Sequence, residues 1–191
     1  MWMIMSDSHD NVPKVSRAID LAIERGVSVV FHCGDLVSPF TARELLRYKG
    51  TLHVVFGNND GERIGLKNLL GSSIGTGPLS LQVEGRKVVM MHEPFGLNDT
   101  IMADYIFYGH THRIDTNLQG DRLVLNPGES CGYLTGRSTV VLLDPANAHE
   151  GVCIVPEHLG LPPTFDVVDE LTGERFGWHL GRNYIRLDPS E

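Results

Sequence analysis

The feature that most constrains this sequence is a rhythm of short apolar runs, each of strand length, that stop on polar residues able to bind metal. Trp2 to Met5 ends at Ser6-Asp7-Ser8-His9, Val27 to Phe31 ends at His32-Cys33-Gly34-Asp35, and Leu52 to Phe56 ends at Gly57-Asn58-Asn59-Asp60. Further on, Lys87 to Met91 ends at His92, and Tyr105 to Tyr108 ends at Gly109-His110-Thr111-His112. Between the first three runs the period changes. Val15, Ala18, Ile19, Ala22 and Ile23 recur at helical spacing between Pro13 and Gly26, and Thr41 to Arg47 reads as a short helix with Leu45 and Leu46 inward. Strand, helix, strand, helix, strand predicts an α/β core with its sheet buried on both faces. In such sheets the binding crevice lies outside the carboxyl ends of the strands. Five strands thus deliver Asp7, His9, Asp35, Asn58, His92, His110 and His112 to one sheet edge.

The middle of the chain is richer in β-structure. Leu79 to Val83 and Lys87 to Met91 flank Glu84-Gly85-Arg86 as a hairpin, Asn98 to Ala103 is read as a helix, and Arg122 to Leu125 and Thr139 to Leu143 are strands around the turn-rich Asn126-Pro127-Gly128-Glu129. After Leu143 the composition shifts: Pro145, Pro156, Pro162, Pro163 and Pro189 predict loops, an edge strand over Gly151 to Val155, and an extension. Phe165, Phe176, Trp178 and Tyr184 give this stretch more aromatic character than a disordered tail carries. The expected organisation is one domain over residues 1–145 and an extension over 146–191, packed on the same domain or on a neighbouring subunit of a homodimer.

Composition narrows the function classes. At 191 residues, 41% apolar and 21% charged, the chain has the make-up of a soluble globular domain. A formal net charge of −8 argues against a general nucleic-acid binder, which needs clustered Lys and Arg. Three cysteines without a CxxC pair, Cys33, Cys131 and Cys153, argue against a disulfide framework or thiolate zinc site. The opening apolar stretch is too short for a signal-peptide core and no run of about twenty apolar residues follows, so a cytoplasmic protein without membrane contact is expected.

The chemistry of the seven residues is specific. Two carboxylates, one amide oxygen and four imidazoles form an oxygen and nitrogen set suited to Mn, Fe, Ni, Co or Zn. Seven groups exceed what one ion takes from protein and suit two ions that share a bridging carboxylate. Asp7-x-His9 and His110-x-His112 place their side chains two apart, on the same side of a strand end.

In order and spacing, Asp7-Ser8-His9, Gly34-Asp35, Gly57-Asn58-Asn59-Asp60, His92 and Gly109-His110-Thr111-His112 resemble the five signature blocks of the calcineurin-like metallophosphoesterases. The likeness spans roughly residues 1 to 145 and is greatest to the small single-domain phosphodiesterases of bacteria and archaea; Asn126-Pro127-Gly128 and the following Glu-Ser-Cys-Gly-Tyr resemble a further block of that subgroup. The resemblance implies a layered α/β fold, a β-sandwich of two mixed sheets flanked by helices. It also implies two divalent metal ions, Mn favoured: Asp7, His9 and His112 hold the first, Asn58, His92 and His110 the second, and Asp35 bridges them. The implied activity is hydrolysis of a small phosphate ester by a metal-bridging hydroxide. The glycines before Asp35, Asn58 and His110 fit tight turns beside the ions.

One departure from the family is informative. Many members carry a histidine, taken to protonate the leaving group or bind phosphate, where this chain has Asn59. An amide donates a hydrogen bond but is no general acid, so phosphodiesters are expected to be favoured over monoesters. Asp60 reads as an acceptor that orients a ligand or caps the next helix, while Arg63 is read either as a phosphate contact or as a helix-surface residue. His32 is read as packed, His53 as remote from the site, His149, His158 and His179 as surface residues, and Cys33 as a buried thiol. Two rival functions share the fold: a non-catalytic interaction scaffold, as in a retromer subunit that resembles this family, and a nuclease. The filled set of seven argues against the first, and the acidic charge and Asn59 against the second.

Overall fold

The computed structural model describes residues 1–97 and 100–146, together with the backbone of four later strands. In chain order the elements are β1 (Trp2–Met5), α1 (Val12–Glu24), β2 (Val29–His32), α2 (Pro39–Leu45), β3 (Thr51–Val55), α3 (Arg63–Leu70), β4 (Ile74–Gly75), β5 (Leu79–Val83), β6 (Arg86–Met90), β7 (Tyr105–Phe107), β8 (Ile114–Gln119), β9 (Arg122–Pro127), β10 (Thr139–Leu143), β11 (Val152–Pro156), β12 (Asp166–Val168), β13 (Arg175–His179) and β14 (Arg182–Arg186).

Two mixed sheets result. The first runs β11-β10-β1-β2-β3-β4, with β1 to β4 parallel and β10 antiparallel to β1; the second runs β5-β6-β7-β9-β8, with β6, β7 and β9 parallel. The strands β12, β13 and β14 form an antiparallel sheet, β12 beside β13 and β13 beside β14.

Alternation along the strands assigns each side chain to a layer. In β1, Trp2 and Ile4 face the second sheet, where they meet Val88, Met90, Tyr105, Phe107, Leu123 and Leu125. Met3 and Met5 face the other way, onto Val15, Ile19 and Ala22 of α1 and Leu45 of α2. Trp2, Phe31, Tyr105 and Phe107 fill the inter-sheet layer with edge-on ring contacts at centroid separations of 5.1 to 5.4 Å. Both faces of β1 and β2 are buried, which is why those strands read as unbroken apolar runs.

The outer face of the second sheet has no helix over it among the described residues. Val89, Met91, Ile106, Tyr108 and Val124 are covered instead by Leu97, Ile101 and Ala103 of the connection into β7. This corrects the helix expected over Asn98 to Ala103: Asn98 and Asp99 lie outside the described residues, and residues 100–103 are irregular. One inward assignment also changes: Leu46 is 38% exposed, because α2 ends at Leu45, and on α1 Ile23 is 53% exposed while Leu21 turns toward the core. The edge strand expected near Gly151 to Val155 is β11, antiparallel to β10.

Candidate metal centre

The carboxyl ends of β1, β2 and β3 and the ends of β6 and β7 open on the same edge of the sandwich, and their loops interlock. Asp7 N donates to Gly34 O (3.0 Å), Ser8 N and His9 N both donate to Asp35 O (3.1 and 3.0 Å), and Asp10 N donates to Leu36 O (3.2 Å). From the other sheet Gly109 N donates to His92 O (3.0 Å), and Cys131 N donates to Asp7 O (3.1 Å).

This lacing holds an unusual backbone. Asp7, His9, Asp35, His110 and His112 all have positive φ, at 51°, 40°, 59°, 68° and 60°. For residues with a Cβ that region costs roughly 1–2 kcal/mol each and persists only where the surroundings impose it. Close approach supplies part of the imposition. A Cβ on Gly57 would lie 2.1 Å from Asp35 Oδ1, and one on Gly109 would lie 1.9 Å from Ser6 Oγ and 2.9 Å from Asp7 Oδ2. These glycines admit the neighbouring ligand side chains, a closer requirement than the tight turn alone.

All seven sequence-predicted side chains meet. Asp35, 1% exposed, lies at the middle: its Oδ2 is 3.5 Å from His9 Nε2 and 3.3 Å from His92 Nε2. On one side the rings of His9 and His112 stack at 5.1 Å, and His112 Nε2 is 3.5 Å from Asp7 Oδ1. On the other, Asn58 Oδ1 lies 2.8 Å from His92 Nε2 and 2.9 Å from His110 Nδ1. Ligand atoms of Asp7, His9 and His112, and separately of Asp7, Asp35 and His92, lie within 4.8 Å of one another.

Tautomers show that this cluster fits a cation. His92 Nδ1 lies 2.8 Å from the carbonyl of Cys33, an acceptor only, so that nitrogen carries the proton. In the neutral ring Nε2 is then a lone pair, and it faces Asp35 Oδ2 and Asn58 Oδ1. His112 repeats the arrangement: Nδ1 donates to Glu129 Oε2 (2.7 Å) and Nε2 is turned toward Asp7 Oδ1. His9 Nε2 is buried without a hydrogen-bond partner among the described residues. Lone pairs converging on lone pairs are satisfied by a positive charge placed among them, and the set matches divalent ions of the Mn to Zn series.

Among themselves these groups shift one another's protonation. Burial raises the pKa of the Asp7 carboxyl, against the opposing pull of Ser6, His92 and His112. Burial acts on Asp35 in the same sense, but hydrogen bonds with His92 and Asn59 outweigh it and hold this carboxyl well below the usual range. His92 is disfavoured as a cation by burial, yet Asp35 prevails and raises its pKa.

Around these residues lies a supporting layer that the sequence showed only in part. Asn59 donates to both oxygens of Asp35, N to Oδ1 and Nδ2 to Oδ2, each at 2.8 Å. Asp60 accepts from Gly57 N (2.6 Å) and Val37 N (2.7 Å), clamping the Asn58 turn to the loop after Asp35. Arg63 stacks over Phe56 at 5.1 Å and donates to Gly57 O (2.9 Å), so its guanidinium is engaged with the backbone of the same turn. Asn126 donates to Gly109 O (2.9 Å) and Thr111 Oγ1 (3.0 Å), fixing the loop of His110 and His112. His53, half-buried on β3, stacks on Phe31 at 5.6 Å.

Glu129 was not singled out by its sequence context. It is fully buried, and beside His112 it receives Leu134 N, Thr135 N, Thr135 Oγ1 and Cys131 Sγ. Burial opposes its ionisation, but the donors from Thr135 and His112 outweigh that and bring the pKa down to about 2. A carboxylate behind a metal-facing imidazole sets its tautomer and aim. The signal was available, since Glu129 follows β9 as the other polar residues follow their strands.

His32 is packed, as its position suggested. It is fully buried, with Nδ1 accepting from Gly34 N (3.2 Å) and Nε2 facing Ser8 Oγ (2.9 Å), whose hydroxyl donates to Asp35 O (3.3 Å). Burial lowers its pKa from 6.5 to about 3. The unfolded chain therefore binds a proton below pH 6.5 that the folded chain refuses, so the stability His32 allows is full above pH 6.5 and declines as pH falls toward 3. The decline is about 1.4 kcal/mol per pH unit. Urea unfolding at pH 7 and pH 5 should show wild type losing about 2 kcal/mol relative to His32→Gln between the two. An unchanged gap would refute this account of His32.

A metal-capable cluster between the open ends of two packed mixed sheets defines the metallophosphoesterase class, and comparison with known proteins agrees. The chain belongs to the calcineurin-like phosphoesterase superfamily: residues 1–148 match that superfamily domain. It is 37% identical over 153 residues to phosphodiesterase MJ0936 of Methanocaldococcus jannaschii, covering 74% of this chain and 90% of that one. Among solved structures, an archaeal phosphodiesterase superposes with a TM-score of 0.71 at 33% identity, over 81% of this chain and 98% of its own. Vps29 of Chaetomium thermophilum shares the fold at a TM-score of 0.61 and 15% identity, over 97% and 93%. Residues 138–191 also match a second family, GLGE, C-terminal. Among the described residues no helix is long and apolar enough to cross a membrane.

Proposed function

We propose that this phosphoesterase is a two-metal phosphodiesterase acting on small diesters. The observation that supports it most is the placing of Asp35, whose one carboxylate lies within 3.5 Å of His9 on one side and 3.3 Å of His92 on the other. Asp7, His9 and His112 would hold the first ion and Asn58, His92 and His110 the second, with Asp35 shared. Two divalent cations supply charge neutralisation for the phosphoryl oxygens and a nucleophilic water at neutral pH. Mn is the favoured metal on ligand type, with Ni, Fe, Co and Zn compatible.

The protein's own groups orient and restrain. The loops hold the ligands at positive φ before substrate arrives, which removes reorganisation from the reaction. Asn59, exposed beside Asp35, offers an amide for hydrogen bonding but no proton at neutral pH. A leaving group must then depart without a protein acid at that position, which favours diesters with stable leaving alcohols. A scaffold would gain nothing from seven ligand-type side chains brought together, five of them on a strained backbone.

With Mn added, an aryl phosphodiester should turn over faster than the matching monoester. Asn59→His should raise monoester turnover, by about 10- to 100-fold if the missing acid sets the limit. Faster monoester hydrolysis by the unaltered protein would overturn the diester assignment.

A further inference from the structure

We infer that Phe95 is a stacking platform for a planar ring carried by the diester, which makes it a specificity-determining residue at the mouth of the site. The inference rests on the phosphodiesterase reading above and adds to it the substrate class, diesters that bear an aryl group or a nucleobase.

Three observations carry it. First, Phe95 is 80% exposed, although it is one of the largest apolar side chains in the protein and stands outside the three described apolar clusters. Second, its place is at the metal-capable cluster: its ring meets that of His110 at 6.0 Å and 68°. His92, three residues earlier, contacts the same ring of His110 at 5.2 Å. Third, the ring stands on a braced turn. Phe95 lies in the 3-10 turn Pro94–Gly96, closed by Leu97 N donating to Pro94 O at 3.0 Å, while Leu97 packs on the outer sheet face. Pro94 fixes the φ angle ahead of it. The backbone is anchored and the aromatic face is open to solvent beside a ligand imidazole.

The chemistry of the site selects the occupant. Loaded with divalent cations, the cluster of carboxylates and imidazoles would take the phosphate end of a substrate, and it offers nothing to an organic ring. With Asn59 unable to protonate a departing alkoxide, the substrates that react well carry stabilised leaving groups, and aryl alcohols are among them. An exposed phenyl ring next to the cluster gives an attached planar ring a partner of its own kind, and stacking of this sort tolerates any base or aryl group.

The test separates ring from phosphate. With the Mn-loaded full chain and hydrolysis of bis(p-nitrophenyl) phosphate as the readout, inhibition constants are measured for two matched pairs: AMP against ribose 5-phosphate, and phenyl phosphate against methyl phosphate. Wild type should bind at least one ring-bearing member about tenfold more tightly than its partner. Phe95→Ala should reduce that ratio to near one, with kcat changed less than KM, and Phe95→Trp should preserve it. The pair that responds tells nucleobase from aryl preference. A ratio that Phe95→Ala leaves unchanged in both pairs overturns the inference, as does an equal loss for all four inhibitors. Absence of any diester hydrolysis by the unaltered Mn-loaded protein would instead strike the phosphodiesterase reading itself. Because the side chain is exposed, either substitution should leave the fold intact.

Discussion

Asp35→Asn is expected to lower kcat/KM for an aryl phosphodiester by at least about a thousandfold while leaving the fold standing. Asparagine has nearly the shape of aspartate, so it fits beside Gly57, where a glycine Cβ would lie 2.1 Å from Asp35 Oδ1. What changes is the donor set. One amide oxygen replaces two charged oxygens, and the new NH2 points a hydrogen where His9 and His92 already present nitrogens. On the proposed two-metal reading a shared ligand would be lost together with one negative charge, and occupancy of both metal positions should fall together. Metal content by plasma spectrometry should drop from about two ions per chain, in parallel with activity. Full turnover at undiminished metal content would remove Asp35 from its bridging role.

The second large effect concerns Glu129. Glu129→Gln should weaken metal binding about 10- to 100-fold, the usual consequence of losing a carboxylate behind a metal-bound imidazole. His112 Nδ1 now donates at 2.7 Å to a buried, ionised carboxylate, and this keeps Nε2 free to accept a cation. A neutral amide supports that arrangement less strongly and can itself present a hydrogen to Nδ1. Because the effect acts through His112, excess Mn should restore most of kcat, which a loss of folding would not allow. Glu129→Ala should go further. It strips the acceptor from Leu134 N, Thr135 N and Thr135 Oγ1, and a buried donor left without a partner costs about 1–3 kcal/mol. Isothermal titration with Mn that found wild-type affinity in Glu129→Gln would show that His112 needs no such support.

Trp2–Met5 and Thr139–Leu143 are legible because strands buried on both faces leave an unmistakable apolar run. Ile114–Gln119 alternates half-buried and exposed residues through Asp115, Asn117 and Gln119, and so leaves no apolar run in the sequence. The irregular residues 100–103 have a related cause, since a segment without a helix covers a sheet equally well, here with Ile101 and Ala103 beside Leu97.

The polar residues after the strands were determined by the sequence alone: ligand chemistry, two-residue spacing and strand ends are all local properties. Family membership follows from the same blocks and is borne out by the match over residues 1–148. What only the tertiary structure decided is how these groups support one another. Glu129 lies 17 residues from His112 and Asn126 lies 17 from Gly109, and neither pairing has a local signature. The tautomers of His92 and His112, the backbone engagement of Arg63 and the open face of Phe95 are likewise set by which loops meet across two sheets. Local pattern fixes which groups reach the sheet edge; long-range packing fixes which lone pairs face each other there, and that decides what the edge can bind.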